Sequence, residues 1–260
     1  MTIPEKRLPV SCFIIAKNEA DRIARTIAAV ASWVDEVVVI DSGSLDDTVK
    51  TAERAGARVI FNAWPGFGQQ KRFGEDQCRN DWLLNLDADE VVTPRLKAAI
   101  EKLFAAAAPP LSVYGFPVAV VYPGWEKPRL FPRDQYCYRL YDKRAARFKA
   151  STLHDSVDFG SLRAGQLNGV LDHYSVRSFD DLKRKCDERA SYNALHAKPK
   201  SRLELLMRMV FELPWLFMKY YLVRTHFLGG LTGLKFAAIT AYYRWLRIVR
   251  MYRNLNARPL

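Results

Sequence analysis

The sequence predicts an α/β protein: a mostly parallel sheet flanked by helices, followed by a basic, aromatic-rich helical extension. Three observations predict it. Apolar runs of strand length alternate with helical spacing through the first third of the chain. Those runs lack polar alternation, as strands buried on both faces do. From Asp180 onward the pattern is helical to the end.

The elements follow in order. Val10 to Ala16 (VSCFIIA) is an uninterrupted apolar strand, and Ala20 to Trp33 has helical spacing, with Ile23, Ile27, Val30 and Val34 on one face. Glu36 to Asp41 (EVVVID) is a β-branched strand ending in an acid. Ser44 or Asp46 caps the next helix, which runs to about Ala55 and stops at Gly56. Ala57 to Phe61 is a third strand, Gln69 to Cys78 a helix, and Trp82 to Leu86 a fourth strand. Pro94 opens a helix reaching about Phe104. Between Ser112 and Leu171 the signals turn to β, with strands expected at Val113 to Tyr122, Tyr136 to Tyr141 and Gly169 to His173. Residues 1–177 are expected to form the sheet domain and 178–260 the helical extension.

At 260 residues, with 14 Phe, 12 Tyr and 6 Trp spread throughout, the chain is long and apolar enough for a folded core, which excludes disorder. The net charge of +12 is unevenly placed: Ser201 to Leu260 holds ten Lys or Arg against two Glu, or +8, leaving +4 for the rest. A basic end on a near-neutral body fits docking to an anionic surface, lipid or nucleic acid. Cys12, Cys78, Cys137 and Cys186 form no CxxC pair and read as reduced cysteines of a cytosolic protein. The opening MTIPEKRLPV has no apolar signal region.

Ligands of such sheets bind at the carboxyl ends of the strands. Two acid-rich turns fall there: Asp41-Ser-Gly-Ser44 and Asp87-Ala-Asp89. In an extended segment, alternate residues point the same way, so Asp87 and Asp89 can meet one hard cation, Mg²⁺ or Mn²⁺, completed by phosphate and water. The bland alternative is a solvated acidic turn. Asp41 finishes a run of Val and Ile and needs a polar partner such as a nucleobase or ribose. Asp46 and Asp47 read as helix-capping acids.

Three blocks, SCFIIAKNEADRI, VVVIDSGSLDDT and WLLNLDADE, in this order and spacing, resemble the signature of family 2 glycosyltransferases, and within them the group acting on the lipopolysaccharide inner core. The similarity covers about residues 8 to 175. It implies a GT-A fold, a nucleoside-diphosphate sugar donor (by resemblance UDP), a DxD metal site for a divalent cation, hexosyl transfer with inversion, and a lipid-linked glycan acceptor. Carried over, Asp41 contacts the base, Asp87 lies by ribose and metal, and Asp89 binds the metal. Ala16, Asn18 and Glu19 line the nucleotide pocket. Many members have two consecutive acids where this chain has Asp41-Ser42, so the base contact is shared differently. Inversion needs a general base. In Leu153-His154-Asp155-Ser156-Val157 that base is Asp155, where the related group more often has Glu; Asp158 is its competitor, and His154 a packing residue.

Lys71 and Arg72 suit the phosphates, or else lie on a solvated helix face. His173, ending a strand, touches metal or phosphate, or is structural. Trp125 and Arg139 are expected on the acceptor side.

In the extension the longest uncharged stretch, Thr225 to Leu234, is ten residues, against about 20 for a spanning helix. Phe236, Ile239, Tyr243, Leu246 and Val249 recur at helical spacing beside Arg244 and Arg247, and Trp215, Tyr220, Tyr221, Tyr242, Tyr243 and Trp245 are headgroup-boundary residues. The expectation is interfacial helices on the anionic inner face of the cell membrane, the protein being cytoplasmic and peripheral. The alternatives are a packed helical subdomain or a dimer interface; no nucleic-acid fold signature supports a nucleic-acid partner. A polyprenyl-phosphate acceptor would use the same donor machinery. A nucleotidyltransferase would need a glycine-rich basic loop where KNEADR stands, and a scaffold leaves the aligned acids unexplained.

Overall fold

The computed structural model describes residues 7–105, 108–132, 135–152, 155–198 and 200–256. The chain forms two compact units, Met1–Val118 with Gln135–His173, and Ala119–Asp134 with Tyr174–Leu260. The segment 119–134 thus belongs with the helices.

The first unit is built on strands β1 (Leu8–Ala16), β2 (Val34–Asp41), β3 (Arg58–Phe61), β4 (Trp82–Asp87), β5 (Glu90–Val92), β6 (Val113–Val120), β7 (Gln135–Asp142), β8 (Arg147–Phe148), β9 (Val157–Asp158), β10 (Gly165–Gln166) and β11 (Leu171–His173). Its main sheet runs β3-β2-β1-β4-β7-β6-β11-β5, with β10 beside β6, and β8 pairs with β9 separately. The first four strands are parallel; β4–β7, β7–β6 and β11–β5 are antiparallel. The architecture is the α/β, GT-A class expected, with its parallel half where the apolar strands predicted it.

Side-chain alternation sends Cys12 and Ile14 to one face and Phe13 to the other. On the first face they pack with Ile23 and Ile27 of α1 (Ile23–Ala28) and with Leu96 and Ile100 of a later helix. On the second, Phe13, Val38 and Ile40 pack with Tyr141 and Phe148. Helix α1 is much shorter than the expected Ala20 to Trp33, because residues 17–22 form a loop tied to its neighbour. Helices α2 (Thr48–Arg54), α3 (Phe67–Gln77) and α4 (Pro94–Phe104) follow. The last begins where Pro94 required it, with Thr93 Oγ1 accepting from Leu96 N at 3.3 Å.

The second unit holds α5 (Phe179–Leu195), α6 (Arg202–Met218), continued by a wide π turn at Lys219–Val223 and a 3₁₀ turn at His226–Gly229, and α7 (Gly230–Asn256). Ser178 and Ser201 cap α5 and α6, accepting from Asp181 N and Glu204 N at 3.0 and 3.2 Å. Arg250 of α7 reaches Asp187 of α5 at 2.7 Å, and Trp245 Nε1 donates to the Met209 carbonyl of α6 at 2.8 Å. His226 and Tyr122, both buried, share a 2.6 Å hydrogen bond that anchors segment 119–134.

The α7 stripe expected to face lipid turns inward. Phe236 and Val249 are buried, and Ile239 packs on Phe236, Tyr122 and Leu182. Tyr220 is buried as well. The reason is pairing: α7 is the helix on which both α5 and α6 pack, so its apolar stripe is their common core. The exposed apolar face belongs to α6. No helix among the described residues is long and apolar enough to cross a membrane.

Candidate active site

The carboxyl ends of β2, β1 and β4 lie side by side, since Ala16 is in register with Asp41 and Ile15 with Asp87. The acid turns of the sequence are therefore brought to one edge of the sheet. The loops after β1 and β2 are laced together. Asn18 N donates to Ser44 Oγ (2.9 Å), Leu45 N to Asn18 Oδ1 (2.8 Å), and Glu19 N to Thr48 Oγ1 (2.7 Å). Asn18 adopts φ 56°, the left-handed conformation that Asn tolerates and that turns the chain back. Asp41, almost fully buried, uses its carboxylate to accept from Gly43 N (2.9 Å) and Ser44 N (3.0 Å), so it shapes the loop around the expected base pocket. Ser42 N donates to the Ala16 carbonyl at 3.0 Å. Asp46 accepts from Thr48 N at 3.0 Å, but it lies one residue ahead of the N-cap of α2, Asp47, whose side chain makes no cap bond.

The centre is a buried lysine. Lys71, on α3, is 0% exposed, which removes the solvated-face reading. Its ammonium lies 2.9 Å from Asp87 Oδ1 and 2.8 Å from Asp155 Oδ2, 5.1 Å above the Phe148 ring. Two carboxylates 68 positions apart in the chain thus share one cation. Asp87's other oxygen pairs with Arg139 at 3.0 Å, and Arg139 also reaches Glu90 at 3.1 Å. Burial alone would raise the Asp87 carboxyl, but Arg139 and Lys71 hold it far below the usual range. Glu90 goes the other way, raised by burial and by the charge of Asp87.

A second chain of charges runs alongside. His173 Nε2 lies 3.3 Å from Asp89 Oδ1, Arg22 lies 3.4 Å from Asp89 Oδ2, and Arg22 Nε donates to Glu19 at 2.8 Å. The antiparallel pairing of His173 with Glu90 delivers the imidazole to the turn, and Thr26 Oγ1 holds that turn by donating to the Ala88 carbonyl at 2.9 Å. Burial opposes ionisation of Asp89, yet the hydrogen bond and charge of His173, with Arg22 behind, lower its pKa. Burial likewise opposes charge on His173, but Asp89, Glu90 and Asp87 raise it above the ordinary value.

The structure therefore brings together Asp41, Asp87, Asp89, Lys71, Asp155, His173, Asn18, Glu19 and Ala16. Arg72 is not gathered in: its guanidinium donates to the Phe148 carbonyl at 3.0 Å. Asp158, the competing candidate for the base, accepts from Gly160 N in its own turn at 3.3 Å. His154 lies outside the described residues. Arg139 is a correction: expected at the acceptor, it is buried under Asp87, because β7 runs antiparallel beside β4. Its signal was an arginine inside the apolar run YCYRLY, a charge that must find buried partners. Trp125 belongs to the second unit, where it packs edge-on against Tyr122 with ring centroids 5.1 Å apart.

Sequence reasoning missed Arg22 and Gly66. Gly66 precedes α3 at φ 127°, and a Cβ there would meet Thr152 Cα at 2.6 Å. Gly68 N donates to the Ser151 carbonyl at 2.9 Å in the same contact. This approach of backbone to backbone delivers Asp155 to Lys71. A cavity of about 490 Å³ lies instead toward the amino end of β2, lined by Glu36, Arg58 and Arg79 and by none of these residues.

The sheet edge thus collects charged side chains from several segments, with a basic group between two acids. The family model "Glycosyl transferase family 2" matches residues 11–165. An uncharacterized glycosyltransferase of Rickettsia prowazekii is 38% identical over 95% of this chain and 87% of its own. The lipopolysaccharide core biosynthesis glycosyltransferase LpsC of Rhizobium meliloti is 26% identical over 97% and 96%. Among solved structures, residues 1–349 of S. aureus TarS align over 91% of this chain and 90% of theirs, with a TM-score of 0.47 and 12% identity. The chain belongs to glycosyl transferase family 2 and is a glycosyltransferase.

Proposed function

We propose that this enzyme transfers a sugar, with inversion, from a nucleotide-sugar donor, UDP-linked by resemblance, to a lipid-linked glycan of the lipopolysaccharide core type at an anionic membrane surface. The observation that carries the reading is the convergence of Asp87 and Asp155 on Lys71, 2.9 and 2.8 Å away, beside the Asp89–His173 pair. The acceptor class is supported by the similarity to LpsC along nearly the whole of both chains.

The residues fit a divalent cation. Two carboxylates and an imidazole at one strand end are suitable donors, and Asp89 and His173 already approach each other to 3.3 Å. Among the described residues no three His, Cys, Asp or Glu are grouped to hold a metal ion by themselves, so the ion would need oxygen donors from diphosphate and water as well. In this reading Asp89 and His173 hold the ion, with Asp87 beside them toward the ribose. When bound, it offsets the charge on the departing diphosphate.

The chain's own groups do the rest. Asn18, Glu19, Ala16 and Asp41 shape the nucleotide pocket, and Lys71 holds Asp155 by Oδ2. The acceptor hydroxyl gives its proton to the Asp155 carboxylate as its oxygen bonds to the anomeric carbon. The bond from that carbon to the diphosphate breaks on the opposite face, and the nucleotide leaves with the electron pair.

A thermal-shift panel of nucleotide sugars with and without Mn²⁺ tests the donor, and radiolabelled transfer to rough-core lipopolysaccharide tests the acceptor. A Mn²⁺-dependent shift with UDP-sugars, followed by transfer, is expected. No shift with any nucleotide sugar would refute the donor assignment.

A further inference from the structure

Helix α6 carries an apolar face that no other described residue of the second unit covers. Leu203, Val210, Phe211 and Trp215 are 71%, 66%, 63% and 63% exposed, and Met207 and Met218 more than half. At about 100° per residue these positions fill one side of the helix, with exposed Glu204 of the first turn also on that side. The opposite side is conventional core: Leu205 packs on Ile248 and Met251, and Leu216 on Ala237 and Ala241 of α7. An ordinary soluble surface scatters such residues singly, so a continuous row of this size marks an interaction surface.

The surrounding charge selects the occupant. Both acids of the segment 201–260 are paired with nearby cations: Glu204 with Lys200, just ahead of the helix, and Glu212 with Arg208 of α6 at 2.6 Å. Exposed Arg202 opens the helix and exposed Lys219 follows it, so cations flank the apolar row at both ends. Ten Lys or Arg against two Glu in this segment would set like charges against each other if two copies met on this face. Anionic phospholipid answers both features, apolar side chains entering the acyl boundary while Lys and Arg reach the headgroups. The helix has 17 residues, about 26 Å at 1.5 Å each, and lies in the interface plane.

We infer that the Leu203–Met218 face of α6, and not α7, is the surface by which this protein enters an anionic leaflet, with Trp215 and Phe211 as its deepest anchors. The inference rests on the proposed lipid-linked acceptor only for its biological setting.

The test is flotation of the full chain with phosphatidylcholine vesicles, with and without phosphatidylglycerol. Wild-type protein should float with the anionic vesicles, and less so in high salt. Phe211→Ser combined with Trp215→Ser should lower the bound fraction by about tenfold or more, with an unchanged melting temperature. Unchanged flotation of the double variant, or light scattering showing that wild type is a dimer which the variant breaks, would overturn the inference. Transfer assayed in detergent separates the two readings: a wild type that floats but transfers nothing sinks the proposed reaction alone, and an active wild type that does not float sinks the α6 surface alone.

Discussion

The strand ends of the sheet unit and the outer face of α6 solve opposite problems. At the strand ends the chain buries charge and pairs it: Lys71 between Asp87 and Asp155, Arg139 between Asp87 and Glu90, Asp89 between His173 and Arg22. On α6 the chain exposes apolar side chains and leaves them without one. Desolvated charge is costly, so it persists where geometry is fixed and a small charged ligand must be oriented. Exposed apolar surface tolerates loose geometry, and so suits a broad, fluid partner. Chemistry and docking are thereby assigned to different kinds of surface.

That division can be broken by substitutions that should disturb one region and spare the other. The largest effect is expected at Asp155: Asp155→Asn should lower kcat by about 10²–10⁴-fold while nucleotide affinity by calorimetry and vesicle flotation stay at wild-type levels. Asp158→Asn, by contrast, should transfer normally; the reverse pattern would reassign the base. Next comes Arg139→Leu, which strands Asp87 and buried Glu90 and should cost about 3–5 kcal/mol in urea unfolding. A loss under 1 kcal/mol would mean that Arg139 is not the counter-charge its distances indicate. Gly66→Ala forces a side chain into the Thr152 backbone and should cost about 1–3 kcal/mol together with a fall in kcat, as Asp155 moves off Lys71; an active, stable variant would break that link.

The smallest effect belongs to the helical unit. Asp181 is partly buried, which opposes its charge, but the Arg177 amide, Arg184 and Lys185 bring its pKa down to about 2. A depressed acid contributes stability above its ordinary value of 3.8 that is lost as pH falls toward about 2. Asp181→Asn should therefore melt lower than wild type at neutral pH, and the gap should close across that acid window. A gap independent of pH would assign the loss to the α5 cap alone.

The two regions also differed in how far the sequence could be read. The parallel strands were legible because β-branched runs without polar alternation leave few other solutions, and Thr93-Pro94 fixed the start of α4. The acids at strand ends were legible because a carboxylate closing an apolar strand needs a reason to be there. Helical apolar periodicity, by contrast, gives a face without saying which way it turns: the α7 stripe is core and the α6 stripe is surface, and only the packing partners decide. The same holds for Gly66, whose importance lies in a backbone 86 positions away in the chain. Arg139 was visible as an anomaly in its strand, but its partners on β4 and β5 depend on an antiparallel pairing that no local pattern encodes.

The most direct measurement is an anomalous difference map from crystals grown with Mn²⁺ and UDP. The account predicts a single strong peak within coordinating distance of Asp89 and His173, the diphosphate on that ion, the uracil beside the Asp41 loop, and Asp155 still on Lys71. A peak elsewhere, or a nucleotide bound with Asp89 and His173 still paired to each other and no metal between them, would contradict it.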